Sequence, residues 1–144
     1  MTLIICPGVH APNLSDRFLA ALNAALDQHR HQAGAERFVR PDQVVSTPKY
    51  APFDGLAVWS FVQTAAAPRS PLLLIGFSAG VVGAIAAANF WQAQGRQVAA
   101  VIAVDGWGVP AIGNFPLHRV SHDYFTHWSS AMLSLRIKRR CPMP

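Results

Sequence analysis

A three-layer α/β/α fold around a mostly parallel sheet is the architecture this sequence predicts, and three observations predict it. Short apolar runs at residues 3–6, 72–75 and 97–104 alternate with stretches of helical spacing. That alternation gives a parallel sheet with helices on both faces. The run at 72–75, Leu-Leu-Leu-Ile, is continuous rather than alternating, as in a strand covered on both faces. Finally, 144 residues with 51% hydrophobic and 13% charged content suit one domain with a substantial core. That composition excludes disorder as the main character. No apolar run approaches the ~20 residues of a membrane-spanning helix.

The elements follow in order. Residues 3–6 form a buried strand ended by the turn pair Pro7-Gly8. Ser15 is placed to cap a helix whose apolar face is Phe18, Leu19, Leu22, Ala25 and Leu26, with Gly34 as its stop. A weaker strand lies within 37–45, interrupted by Pro41. Residues 46–55 carry Pro48, Pro52 and Gly55 and read as loop, and Asp54 caps a second helix from Leu56 to near Ala67. The segment 68–71, Pro-Arg-Ser-Pro, breaks that helix before the strand at 72–75. An Ala-rich, apolar helix over 81–94 stops at Gly95, and the strand at 97–104 ends in Asp105-Gly106-Trp107-Gly108. Beyond it, residues 106–130 show no clear periodicity and no strand is predicted there. One domain is expected over 1–134, with an irregular basic tail over 135–144.

The formal charge of +5 belongs mostly to that tail, where Arg136, Lys138, Arg139 and Arg140 lie. Up to Ser134 there are eight basic and seven acidic residues, so the body is near neutral and no nucleic-acid partner is expected. The start of the chain has no basic n-region and its apolar run ends at Pro7, so no secretory signal is read there. Two cysteines make no disulfide framework; Cys6 reads as a buried free thiol, and a reducing, cytoplasmic compartment fits.

The chemistry concentrates at Gly76-Phe77-Ser78-Ala79-Gly80, a GxSxG pentapeptide with a strand before it and a helix after it. That context is the one a nucleophile elbow requires. A sharp turn presents the serine hydroxyl, the two glycines admit close chain passage, and the helix N-terminus favours negative charge. The Ala79 N–H then serves as an oxyanion donor. The competing reading is a tight strand–helix turn with a capping serine.

At this point the sequence resembles the α/β-hydrolase family, over roughly residues 2–127. The opening segment TLIICPGVHAP is similar to the family's oxyanion loop after an early strand, so that Val9 or His10 would give the second N–H. The resemblance implies Ser–His–Asp chemistry on an ester, thioester or amide, with no metal or organic cofactor. In the family's chain order of serine, acid, histidine, Asp105 closes the strand after the elbow helix. It reads equally as the start of an Asp-Gly turn. Asp123 competes but adjoins His122. Among His118, His122 and His127, His122 sits in the most loop-like setting and is the expected base. His10, Phe77 and Trp107 are expected to line the site of a small-molecule acyl substrate.

One departure matters. Only residues 106–121 separate Asp105 from His122, and the chain then turns abruptly basic and proline-rich. Such an end is what truncation or a shifted reading frame produces, and it predicts a fold lacking the family's last strands. The strand at 97–104 would then be an unprotected edge, inviting a homodimer. The alternative function is therefore a catalytically incomplete remnant or an interaction module. A dinucleotide fold is disfavoured because Ser78 and Val81 stand where its glycines belong. A zinc site at His118, His122, Asp123 and His127 is a weaker rival, lacking the HExxH glutamate.

Overall fold

A computed structural model describes residues 1–9, 12–33, 43–44, 51–106, 109–110 and 112–121 of the chain. The predicted three-layer α/β/α fold is present. The strands are β1 (Thr2–Cys6), β2 (Gln43–Val44), β3 (Leu72–Phe77), β4 (Val98–Val104) and β5 (Leu117–Val120). The helices are α1 (Pro12–Ala33), α2 (Gly55–Ala65) and α3 (Gly80–Ala93). The sheet order is β2-β1-β3-β4-β5 and every pairing is parallel.

Each face of the sheet has its own core. On one face Ile4, Cys6, Leu72, Leu74, Val101 and Ala103 pack under α2 and α3, with Val58, Val62, Ala84, Ala88 and Trp91. On the other, Leu3, Ile5 and Ile75 meet Phe18, Leu19 and Leu22 of α1. Consecutive strand residues point to opposite faces, so β1 and β3 must be apolar at nearly every position. That requirement produces the continuous runs that mark them in the sequence. All five residues of β1 are buried.

Local signals set the helix ends. Asp54 caps α2, its Oδ1 accepting from the N–H groups of Leu56 (3.0 Å) and Ala57 (3.1 Å). Gly95 follows α3 at φ 72°, a left-handed position that glycine fills without a Cβ penalty. The Trp91 indole N–H donates to the Gln97 carbonyl at 3.2 Å, tying the end of α3 to the start of β4. The Arg96 guanidinium lies 4.5 Å from the centre of the Trp91 ring.

The structure corrects four expectations. First, α1 begins at Pro12, so Ser15 is a buried residue within its first turns and not its cap. Proline suits a first helical turn because its missing N–H would have no intrahelical acceptor there. Second, Ala25 is exposed, while Asn23 turns partly inward. Third, β3 runs two residues further than the apolar run, so Gly76 and Phe77 are strand residues. Fourth, residues 117–120 form a strand, β5, where none was predicted. It pairs Leu117 to Val101 and Val120 to Val104, so β4 is not the edge of the sheet. Within β5, Leu117 packs against the α2–α3 core and Arg119, on the same face, donates to the Val109 carbonyl at 3.0 Å. Burial pulls the Arg119 guanidinium below its usual pKa. The predicted stop at Gly34 and the tail at 135–144 lie outside the described residues.

Among the described residues no helix is long and apolar enough to cross a membrane.

Candidate functional site

The carboxyl ends of β1, β3, β4 and β5 lie along one edge of the sheet, the edge where open α/β sheets bind ligands. The central feature of that edge is the turn from β3 into α3. Ser78 has φ 48°, the left-handed region, which a residue with a Cβ enters at a cost of roughly 1–2 kcal/mol. Its N–H donates to the Val104 carbonyl at 2.8 Å, and its own carbonyl accepts from Val81 N–H at 3.1 Å. One residue therefore closes the sheet ladder and opens the helix. The Ser78 side chain is exposed, unlike the strand leading to it.

The two glycines of the pentapeptide are required by close packing. A Cβ on Gly76 would stand 2.7 Å from the Val81 Cα. A Cβ on Gly80 would run into the backbone carbonyls of Cys6 and Pro7 at the end of β1. The first turn of α3 is thus pressed against β1, and no side chain fits between them. Val81, fully buried, also meets Gly106, where an added Cβ would stand 2.7 Å from its Cγ2. Val81 therefore holds the Asp105-Gly106 segment against the same helix turn. In the sequence Val81 reads only as an apolar residue opening a buried helix; the signal of this contact is the placement of Gly76 and Gly106 on either side of it.

Asp105 follows β4 directly, also in the left-handed region at φ 49°. Its N–H donates to the Val120 carbonyl at 2.9 Å. Ser78 and Asp105 thus extend two adjacent strand ends by one residue each. Phe77, just before Ser78, faces α1 and meets the Phe18 ring edge-on at 4.8 Å between centroids. Val9, in the loop after β1, exposes 78% of its surface. His118 lies within β5 opposite Ile102 and is exposed. His10, Trp107, His122, Asp123 and His127 lie outside the described residues.

Electrostatically the site is shaped by the α3 N-terminus, whose dipole favours an anion beside Ala79. Cys6 lies beneath the same turn, fully buried, and burial pushes its thiol pKa up to about 12. It is a protonated core residue at neutral pH and not a nucleophile. Among the described residues no three His, Cys, Asp or Glu side chains gather as a metal site would need.

No protein-family model and no curated protein sequence matches the chain. The fold itself is α/β-hydrolase-like: a parallel five-stranded sheet between helical layers, with a serine turn after its central strand.

Proposed function

We propose that this chain is a serine hydrolase that cleaves a carboxylic ester or thioester through an acyl-Ser78 intermediate. The observation that carries the reading is the backbone of Ser78. An exposed serine is held at φ 48° between a buried strand and a buried helix turn, with glycines where any Cβ would collide. A capping serine needs no such strain, whereas a nucleophile elbow uses it to project the hydroxyl from the sheet edge.

In this mechanism Ser78 Oγ attacks the acyl carbon as His122 takes its proton. The carbonyl oxygen becomes an oxyanion held by the N–H groups of Ala79 and Val9. The intermediate collapses as His122 protonates the leaving alcohol or thiol, leaving the acyl group on Ser78. Water, deprotonated by His122, then releases the acid and restores the serine. Asp105 orients His122 and stabilises its imidazolium. Its place at the end of β4, one residue beyond the carbonyl that accepts from Ser78 N–H, supports that role. Phe77, His10 and Trp107 line the acyl group. The reaction needs no metal or organic cofactor.

The test is covalent labelling with a fluorophosphonate, read by intact mass, beside Ser78→Ala. One adduct on the parent and none on the variant is the expected result. No adduct on folded parent protein overturns the proposal in favour of a non-catalytic member of the fold.

A further inference from the structure

The outer helical layer carries a second feature, unrelated to Ser78. Neither α2 nor α3 contains a charged residue. Outer helices of a three-layer domain ordinarily turn a charged face to water. Here the solvent side presents Phe53 and Leu56, 61% and 65% exposed, with Val82 and Phe90. The patch is continuous across the two helices. An added Cβ on Gly55 would run into Ala86 Cβ, and the Trp59 and Phe90 rings lie 5.8 Å apart. Val82, Ala86 and Phe90 form one i, i+4, i+8 stripe along α3, beside Gly55 and Trp59 of α2.

Among the described residues, charge appears at the two ends of this face. Asp54 sits at the start of α2, on the sheet edge that carries Ser78. Arg69 and Arg96 follow α2 and α3 at the opposite edge, near the starts of β3 and β4. Among the described residues the face is therefore uncharged along both helices, with exposed Ser60, Gln63 and Thr64 beside its apolar residues, acidic at one end and basic at the other.

We propose that this face pairs with the same face of a second copy of the chain, the helices antiparallel across a twofold axis. Two features select that occupant. A partner with an ordinary charged surface would have to dehydrate its charges against a face that offers them no counter-charge. A copy brings a face equally free of charge. The twofold then sets the Asp54 end of each protomer against the Arg69 and Arg96 end of the other, whereas a parallel pairing sets like ends together. The Ser78 sites come to opposite ends of the pair, so the dimer forms whether or not the serine is reactive.

Sedimentation velocity of the full chain from about 1 to 100 μM tests this, spanning the range of moderate dimer affinities. The parent is expected to reach the mass of two chains. Leu56→Glu and Phe90→Glu should return it to one chain with an unchanged far-ultraviolet circular dichroism spectrum. Leu56, the more exposed, serves if the Phe90 variant misfolds. Arg69→Glu should weaken the dimer about tenfold at low salt. Val120→Glu, on the outer strand of the sheet, should leave it intact. A parent that stays at one chain at the top concentration overturns the proposal. So does a dimer that Val120→Glu splits and Leu56→Glu does not.

Discussion

Ser78 and Asp105 are the two non-glycine residues with positive φ among those described, and a hydrogen bond from one joins their strand ends. The Ser78 N–H donates to the carbonyl of Val104, the residue just before Asp105. Adjacent parallel strands thus end alike, each turning sharply through a left-handed residue at the ligand-binding edge. Backbone strain at two neighbouring positions persists only where surrounding packing enforces it, and Val81 packs closely against Gly76 and Gly106, the glycines flanking the two turns.

Ser78→Gly should raise stability by about 1 kcal/mol, because glycine adopts the left-handed region without the Cβ penalty. The same variant should lose all fluorophosphonate labelling. Urea denaturation read by tryptophan fluorescence measures the first and intact mass the second. A destabilised glycine variant would mean that the serine side chain holds the turn together.

Asp105→Asn separates an orienting acid from a turn residue. Asparagine also tolerates φ near 50°, so the fold and its melting temperature should change little. The labelling rate should fall on the order of 10³-fold or more, because a neutral amide cannot stabilise the imidazolium. An unchanged rate would leave Asp105 as a turn former.

Gly80→Ala should cost about 3 kcal/mol or prevent folding, since the new Cβ meets two backbone carbonyls that have nowhere to move. Gly95→Ala is the matched control. Nothing lies within 4 Å of its added Cβ, and only the φ of 72° resists it, at about 1 kcal/mol. Chemical denaturation of the pair tells crowding from conformational strain.

The Cys6 thiol should resist iodoacetamide at pH 8 in a Cys141→Ser background and react once urea unfolds the chain. The folded pKa of about 12 lies above the ordinary 9.0. The unfolded state therefore loses its proton first as pH rises. The thiol's contribution to stability is complete below pH 9 and is lost as pH climbs from 9 toward 12. Denaturation midpoints in a Cys6→Ala background should show a shallower decline over that window.

Arg119→Met should loosen the β5 end of the sheet at a cost of about 1–2 kcal/mol, by removing a charged donor from the Val109 carbonyl. The Asp105 amide, paired to Val120, should then exchange with deuterium faster. An unaltered exchange rate would show that the strand pairing stands without the arginine.

The sequence revealed the elements that a single physical demand controls. Strands β1 and β3 are covered on both faces and β4 is buried on one and half-buried on the other, so burial forces apolar runs. Asp54 and Gly95 act through local chemistry, and both stand where they were expected. Strand β5 escaped because it is only four residues long, with His118 and Arg119 at its centre. Its membership depends on a partner, β4, that residues 117–120 cannot themselves signal. Ser15 misled for a related reason: a serine near a helix start reads as a cap unless the proline three residues earlier is given more weight. At the site, the glycine spacing announced the tight turn. The role of Val81 was hidden because it arises from contacts to segments far apart in the chain.

The parallel sheet also bears on how the chain is made. Cys6 pairs with Gly76, and every residue of β1 finds its β3 neighbour 70 positions later. At about 5–20 residues per second, the ribosome delivers that partner roughly 4–14 s after β1 itself. Throughout that interval the segment Thr2–Cys6 is an apolar strand whose main pairing partner has not yet been made. Yield of folded protein should therefore respond to growth temperature and to supply of chaperones that bind extended apolar segments.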